Sequence, residues 1–244
     1  MKTLGAGGER DAGRGPPRIG TVAPAMDTLP LAIANGWGCG ISAYAVVLIT
    51  GLVGRSGAAE TPEALQRTDV LVVAGVLLAI EFVADKIPYV DSAWDSVHTV
   101  VRPAIAVVVG ALLAGDAPGA EQVLAAAGTG ATALVTHLAK GGIRLGVNAS
   151  PEPVTNVAVS FGEDGAVAAV TLLAWQHPWV AAGIALVLLV LGVSAAVYLV
   201  RRVRRGWARL RRWLARWAGG GPSGGAPPAD APGPGTAPPA SPQS

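Results

Sequence analysis

Glu81 and Asp85 stand four residues apart, the spacing that puts two side chains on one face of a helix, and Lys86 follows directly. The run around Glu81, Val70 to Ala84, carries no other charge. A carboxylate in hydrocarbon costs about 2.5–3.5 kcal/mol, so Glu81 is expected to face other helices, pair with a cation or hold a proton. Two roles fit: an ion or proton site, or a packing salt bridge with Lys86, Arg102 or Lys140. Next come Asp91, Asp95, His98 and Arg102, spaced four, three and four, again along one helical face. Two carboxylates and one imidazole on a single helix make an incomplete ligand set for a divalent ion, so no metal and no cofactor is expected. Ser92 with Asp95 reads as a capping box. The favoured reading of this segment is a solvated interfacial first turn, with Arg102 snorkelling to the headgroups before Pro103.

A second polar group gathers further on: His137, Lys140, Arg144, Asn148, Ser150, Glu152 and Asn156. A helix starting at Ser150 would offer free backbone N–H groups to a carboxylate or phosphate, with Arg144 nearby. The favoured alternative is a capped loop whose basic residues meet anionic lipid.

These residues are set in a chain whose solvent is expected to be lipid. Of 244 residues, 51% are hydrophobic and 14% charged, against about a quarter charged in soluble domains, and the mean hydropathy is +0.48. Leu31 to Val53 and Trp179 to Val200 are each long enough to cross about 30 Å of hydrocarbon. Val70 to Ala84, Val97 to Leu113 and Val123 to Ala139 are shorter spans with polar interruptions. Gly165 to Trp175 is too short alone and would need help from Val154 to Phe161. Glu163 and Asp164 then read as the acidic start of that helix. Cys39 lies inside an apolar run, as a packing residue rather than a reactive thiol, and rules out an intrachain disulfide framework.

Charge asymmetry sets the orientation. Eight arginines between Arg201 and Arg216 belong in the cytoplasm, and six alternating spans then place every Lys and Arg there except Arg55 and Arg67. The expected fold is an all-α polytopic bundle of about six transmembrane helices, with both termini cytoplasmic, in a bacterial inner membrane. Residues 1–28 lack the apolar core of a signal peptide and read as a disordered cytoplasmic leader. The transmembrane domain covers 29–200.

Within it, a shift of 90 places Gly38 on Gly128, Gly40 on Gly130, Gly75 on Gly165 and Pro88 on Pro178. A shift of 89 pairs Thr61-Pro62-Glu63 with Ser150-Pro151-Glu152, each a helix start with a hydroxyl cap, a proline and an acid. Repeats at about 29–115 and 120–200 would each hold three helices. An odd number inverts the second copy, giving the 3+3 pattern of many secondary transporters.

Beyond the last span, Trp207, Leu210, Trp213, Leu214 and Trp217 recur at helical spacing. Arg201, Arg202, Arg204, Arg205, Arg209, Arg211, Arg212 and Arg216 take most other positions. This predicts a basic amphipathic helix over 201–218 for anionic headgroups rather than nucleic acid. Residues 219–244, rich in Pro, Ala and Gly, are expected to stay disordered.

The stretch from Glu81 through Asp85, Lys86, Asp91, Asp95 and His98 to Arg102-Pro103, with Gly40-Ile-Ser-Ala-Tyr44 and Asn148 to Asn156, resembles the bacterial membrane-protein family catalogued as domain of unknown function 4126. The resemblance covers roughly Leu29 to Val200 and implies a multi-pass bacterial membrane protein. It implies no activity and assigns no residue a role.

The leading expectation is a small inverted-repeat protein that moves an ion or small solute, with Glu81, Asp85 and the Pro88 to Arg102 segment near the pathway. The alternative is a non-transporting scaffold, in which Gly36, Gly40 and Gly51 serve close helix packing. An intramembrane enzyme built from Glu81, His98 and His137 is the third reading, and no catalytic motif supports it. Self-association is compatible with every reading.

Overall fold

A computed structural model describes the backbone of residues 25–87, 90–148 and 153–218, with side chains over 28–87, 90–145 and 157–217. The expected leader and tail, and Ser150 and Glu152, lie outside the described residues, as do the side chains of Asn148 and Asn156. The described residues form seven helices and no strand: α1 (Ala25–Arg55), α2 (Glu63–Gln66), α3 (Thr68–Ala84), α4 (Val90–Ala114), α5 (Gly119–Asn148), α6 (Pro153–Gln176) and α7 (Pro178–Ala218).

Two compact units divide the chain, residues 1–203 and 204–244. In the first, α1 is the central element, packed against α3, α4, α5 and α6. It is apolar on every side, which suits a helix surrounded by others. Of its membrane-length window, 78% is buried, against 22–39% for the other helices of that length and hydropathy.

Small residues allow the close approach. A Cβ built on Gly36 would lie 2.8 Å from the Thr129 carbonyl oxygen, and one on Gly40 would lie 2.5 Å from the Ala133 carbonyl oxygen and the Thr136 Cβ, both on α5. This is the small-xxx-small packing of helices in lipid. Across α4 and α5, Gly110 meets Ala125 and Thr129 in the same way.

Among the described residues, four helices are long and apolar enough to cross a membrane: Thr28–Arg55, Val90–Ala114, Val157–Gln176 and Pro178–Trp217. At 17 residues, α3 spans about 25 Å. Its outer face exposes Val72, Val73, Val76 and Val83, while its inner face buries Glu81. The outer face of α7 exposes Val187, Val190 and Leu191. An apolar exterior around an ionic interior is the arrangement for lipid, not for water. The chain is therefore an all-helical protein built for a membrane.

Several local expectations need correction. The run Gly165 to Trp175 is no such case: as expected it is completed by Val154 to Phe161, in the 24-residue α6 that begins at Pro153. Glu163 and Asp164 therefore sit in mid-helix rather than at a helix start. Likewise α4 begins at Val90, which puts Ser92 and Asp95 inside the helix. The Ser92 carbonyl accepts the Ser96 hydroxyl at 2.8 Å, and Asp95 turns to Arg102 instead of capping. At the other predicted start, Pro62 is the N-cap of the single-turn α2 and no side chain caps it. The Thr61 hydroxyl accepts Gln66 Nε2 at 3.2 Å instead.

Candidate functional site

The site begins with a fault in α1. Ser42 has φ −148° and ψ 98°, extended backbone in the middle of the most buried helix. A serine among glycines is a usual place for such a break. Ser42 Oγ accepts the Ala45 N–H at 3.3 Å, as an N-cap side chain does, and so restarts the helix. The neighbouring Ile41 carbonyl accepts Lys140 Nζ at 3.3 Å. Irregular backbone at membrane depth is tolerated where protein groups satisfy it, and here a lysine from α5 does so.

Around this break the polar residues of five helices converge. Ser42 Oγ donates to Glu81 Oε2 from α3. The other oxygen of Glu81 accepts Arg102 Nη2, from α4, at 2.6 Å. Arg102 is fully buried, and its Nη1 lies 3.1 Å from Asp95 and donates to His137 Nδ1 at 2.8 Å. The expected snorkelling of Arg102 is thus overturned: Pro103 follows it inside α4 and no headgroup is in reach, because Glu81 and Asp95 hold the guanidinium in the bundle. The solvated first turn is overturned with it, since Asp91 and His98 are buried too.

Both histidines have defined roles in these hydrogen bonds. His98 Nδ1 lies 2.7 Å from the Trp94 carbonyl, which can only accept, so Nδ1 carries a hydrogen, and Nε2 shares a hydrogen bond with the Tyr44 hydroxyl at 2.9 Å. The ring stacks on Trp94 with centroids 4.5 Å apart. By the same argument His137 Nε2 donates to the Asp95 carbonyl at 3.1 Å, leaving Nδ1 as the acceptor for Arg102. The guanidinium can only donate, so the His137 imidazole is neutral.

A second set of ion pairs continues from the first. Lys140 Nζ contacts Asp85 at 2.9 Å and Glu163 at 3.5 Å. Arg144 bridges three carboxylates: Asp91 at 2.7 Å, Glu163 at 3.0 Å and Asp85 at 3.3 Å. It also donates to the Asp85 carbonyl at 3.1 Å. At the edge, Lys86 sits 3.2 Å above the Phe82 ring, donates to Ser160 Oγ at 3.3 Å, and lies 3.6 Å from Asp164.

The two groups separated in the sequence are therefore one network. Glu81, Asp85, Lys86, Asp91, Asp95 and Arg102 join His137, Lys140 and Arg144, while His98 stands beside them. Lys140 and Arg144 face carboxylates and His137 meets Arg102 and the Asp95 carbonyl inside the bundle, not a loop and not lipid, which corrects the expectation of an anion or headgroup site for them. Oxygens of Asp85, Asp91 and Asp95 come within 4.8 Å of one another, a spacing open to a cation, but Lys140, Arg144 and Arg102 already lie against them. His98 turns away from this cluster to Tyr44 and Trp94.

Ser42, Tyr44, Ser160 and Glu163 are the members that residue patterns alone did not assign. The available signal was their polarity inside apolar runs. Glu163 is placed by helical spacing on α6, where it reaches both cations of α5.

In the second unit, the residues of α7 from Arg204 to Trp217 are almost wholly exposed, among them Trp207, Trp213 and Trp217. The rings of Trp213 and Trp217 lie 6.0 Å apart, one helical turn along the same face. Arg201 and Arg202 close the first unit, where Arg202 reaches the Tyr198 hydroxyl at 3.4 Å.

With the helices and the network placed, comparison with known families is direct, because one family model spans residues 29–198, from the start of α1 into the apolar part of α7. The chain belongs to the family described as Domain of unknown function (DUF4126). Every residue of the buried network falls inside the matched DUF4126 region, and the basic end of α7 falls outside it. Among curated proteins and solved structures, none matches the chain.

Proposed function

We propose that this DUF4126 protein carries an ion or small solute across a bacterial inner membrane, and that the network at the α1 break is its site. The observation that carries the reading is the pairing of Ser42, non-helical inside the central helix, with the buried Glu81–Arg102 ion pair. A bundle needing only stability gains little from such groups: a buried ion pair replaced by apolar residues is often as stable or more so. Ionisable residues held at membrane depth mark pathways, and interrupted helices are the element that transporters place at their sites.

In this reading α1, α3, α4, α5, α6 and the apolar part of α7 are six spans arranged as a 3+3 inverted repeat, with both termini cytoplasmic. The basic residues of α7 from Arg201 to Arg216 lie against anionic headgroups, with Trp207, Trp213 and Trp217 as interfacial anchors. The protein acts without a cofactor and is no enzyme: each histidine is already committed to two partners. The test is flux in reconstituted vesicles under imposed gradients of H⁺, Na⁺, K⁺ or Mg²⁺. Transport predicts flux of at least one ion above empty vesicles.

One observation favours a scaffold instead. Gly36 and Gly40 bring α1 against the α5 backbone, as packing alone would require. A scaffold predicts no flux of any ion.

A further inference from the structure

The charges of the network do not balance. Glu81, Asp85, Asp91, Asp95, Glu163 and Asp164 supply six carboxylates, while Lys86, Arg102, Lys140 and Arg144 supply four cations. His137 adds nothing, because it donates one ring N–H to a carbonyl and accepts from Arg102 at the other nitrogen, and His98 makes no ion pair with the six carboxylates. Fully ionised, these described residues would carry two more negative charges than positive ones, with Asp164 about a third exposed beside Lys86 and the other five carboxylates more deeply buried. An unpaired buried ion costs several kcal/mol, and such a group takes up a proton instead.

Hydrogen bonding identifies where those protons belong. Asp91 is fully buried; one of its oxygens accepts Arg144 at 2.7 Å, while Oδ2 meets no donor. Asp164 Oδ2 is buried without a donor, and its closest cation, Lys86, lies 3.6 Å away. Asp95 and Asp85 differ: Arg102 Nη1 is 3.1 Å from Asp95 Oδ1, and Lys140 and Arg144 both lie against Asp85 Oδ2, at 2.9 and 3.3 Å. Two surplus charges thus meet two carboxylates that each have an oxygen short of a donor.

Charges of both signs surround them. Asp91 faces Asp85 at the end of α3, Asp95 on its own helix and Arg144 from α5, whose charge Asp85 and Glu163 share. From α1 come only uncharged groups, Ser42 and the Ile41 carbonyl, to the same cluster. Asp164 faces Lys86, Lys140, Asp85 and Glu163.

We infer that the network is a proton site: Asp91 and Asp164 each carry a proton at neutral pH, and the proton is the ion that the carrier moves or couples to. This rests on the transport reading above and gives it a substrate class. Uptake and release of a proton at Asp91 Oδ2, the oxygen that Arg144 does not hold, change the network's charge by one.

The test is infrared spectroscopy of the full chain in lipid nanodiscs at neutral pH, reading the carbonyl stretch of protonated carboxylic acids and its shift in D₂O. A band equivalent to two acids per chain is expected, halved in Asp91→Asn and in Asp164→Asn. Should Asp91→Asn fail to fold, the wild-type band and Asp164→Asn carry the measurement. Absence of the band, or a band unchanged in both variants, overturns the inference. So does one equivalent of Mg²⁺, Ca²⁺, Mn²⁺ or Zn²⁺ retained after dialysis, since a divalent ion would then supply the missing charge. Flux without the band sinks the proton site and leaves transport standing; the band without flux supports the proton site and removes transport.

Discussion

Ser42 and Glu81, thirty-nine residues apart, share a hydrogen bond at the non-helical residue of the central helix. The bond ties the break in α1 to the buried end of α3, and the same serine caps the second half of α1. Ser42→Ala removes both. Loss of a cap costs about 0.5–2 kcal/mol and loss of a hydrogen bond to a charged group about 1.5–3 kcal/mol. Chemical unfolding in detergent is expected to show destabilisation of a few kcal/mol; a change below about 0.5 kcal/mol would mean that the break is held by something else.

The Glu81–Arg102 pair makes a second prediction. Arg102→Met leaves Glu81 buried without its cation, and breaking a buried pair costs about 3–5 kcal/mol. Adding Glu81→Gln should recover much of that loss, because the charge has gone. A double-mutant cycle on unfolding free energies measures the coupling, and additive losses would contradict the pairing.

Helix packing gives a third pair of variants with opposite signs. Gly40→Ala places a Cβ 2.5 Å from the Ala133 carbonyl oxygen and should push α1 off α5. Gly141→Ala, in α5, meets nothing within 4 Å and should be neutral or stabilising by up to about 1 kcal/mol through helix propensity. Thermal unfolding of the two side by side reads the difference, and equal shifts would count against the α1–α5 contact.

Much of the membrane character was legible in the chain, because apolar run length and charge-free composition are local properties. The apolar cores of α1 and α7 and the polar residues of α3, α4 and α5 followed from them, though α1 starts earlier, at Ala25, and α7 runs on without a break through the basic segment to Ala218. Two things were not. Spacing puts Asp91, Asp95, His98 and Arg102 on one face but cannot say whether that face meets water or another helix. A partner on α3 and one on α5, at positions 81 and 137, decided it. The break in α1 was equally hidden. Gly38-Cys39-Gly40-Ile41-Ser42 reads as a helix interior from apolarity, and only the carboxylate of Glu81 and the amine of Lys140 show what the unwound turn is for.

The basic end of α7 makes a prediction of its own. Each arginine near an anionic surface contributes about 1 kcal/mol of attraction, within a screening length of about 8 Å at physiological salt. Trypsin should cleave between Arg204 and Arg216 several-fold more slowly in vesicles rich in anionic lipid than in zwitterionic ones, and the difference should shrink at high salt. Equal rates in both lipids would remove the headgroup contact from the account.

Flux through reconstituted vesicles, comparing Glu81→Gln with Asp69→Asn, tests the central claim most directly. Asp69 pairs with Arg67 at 2.7 Å on the exposed surface, so its loss is a charge-matched control away from the network. The account predicts that Asp69→Asn transports at the wild-type rate, while Glu81→Gln, folded and inserted to the same level, falls to that of empty vesicles. Equal transport by the two variants would contradict it.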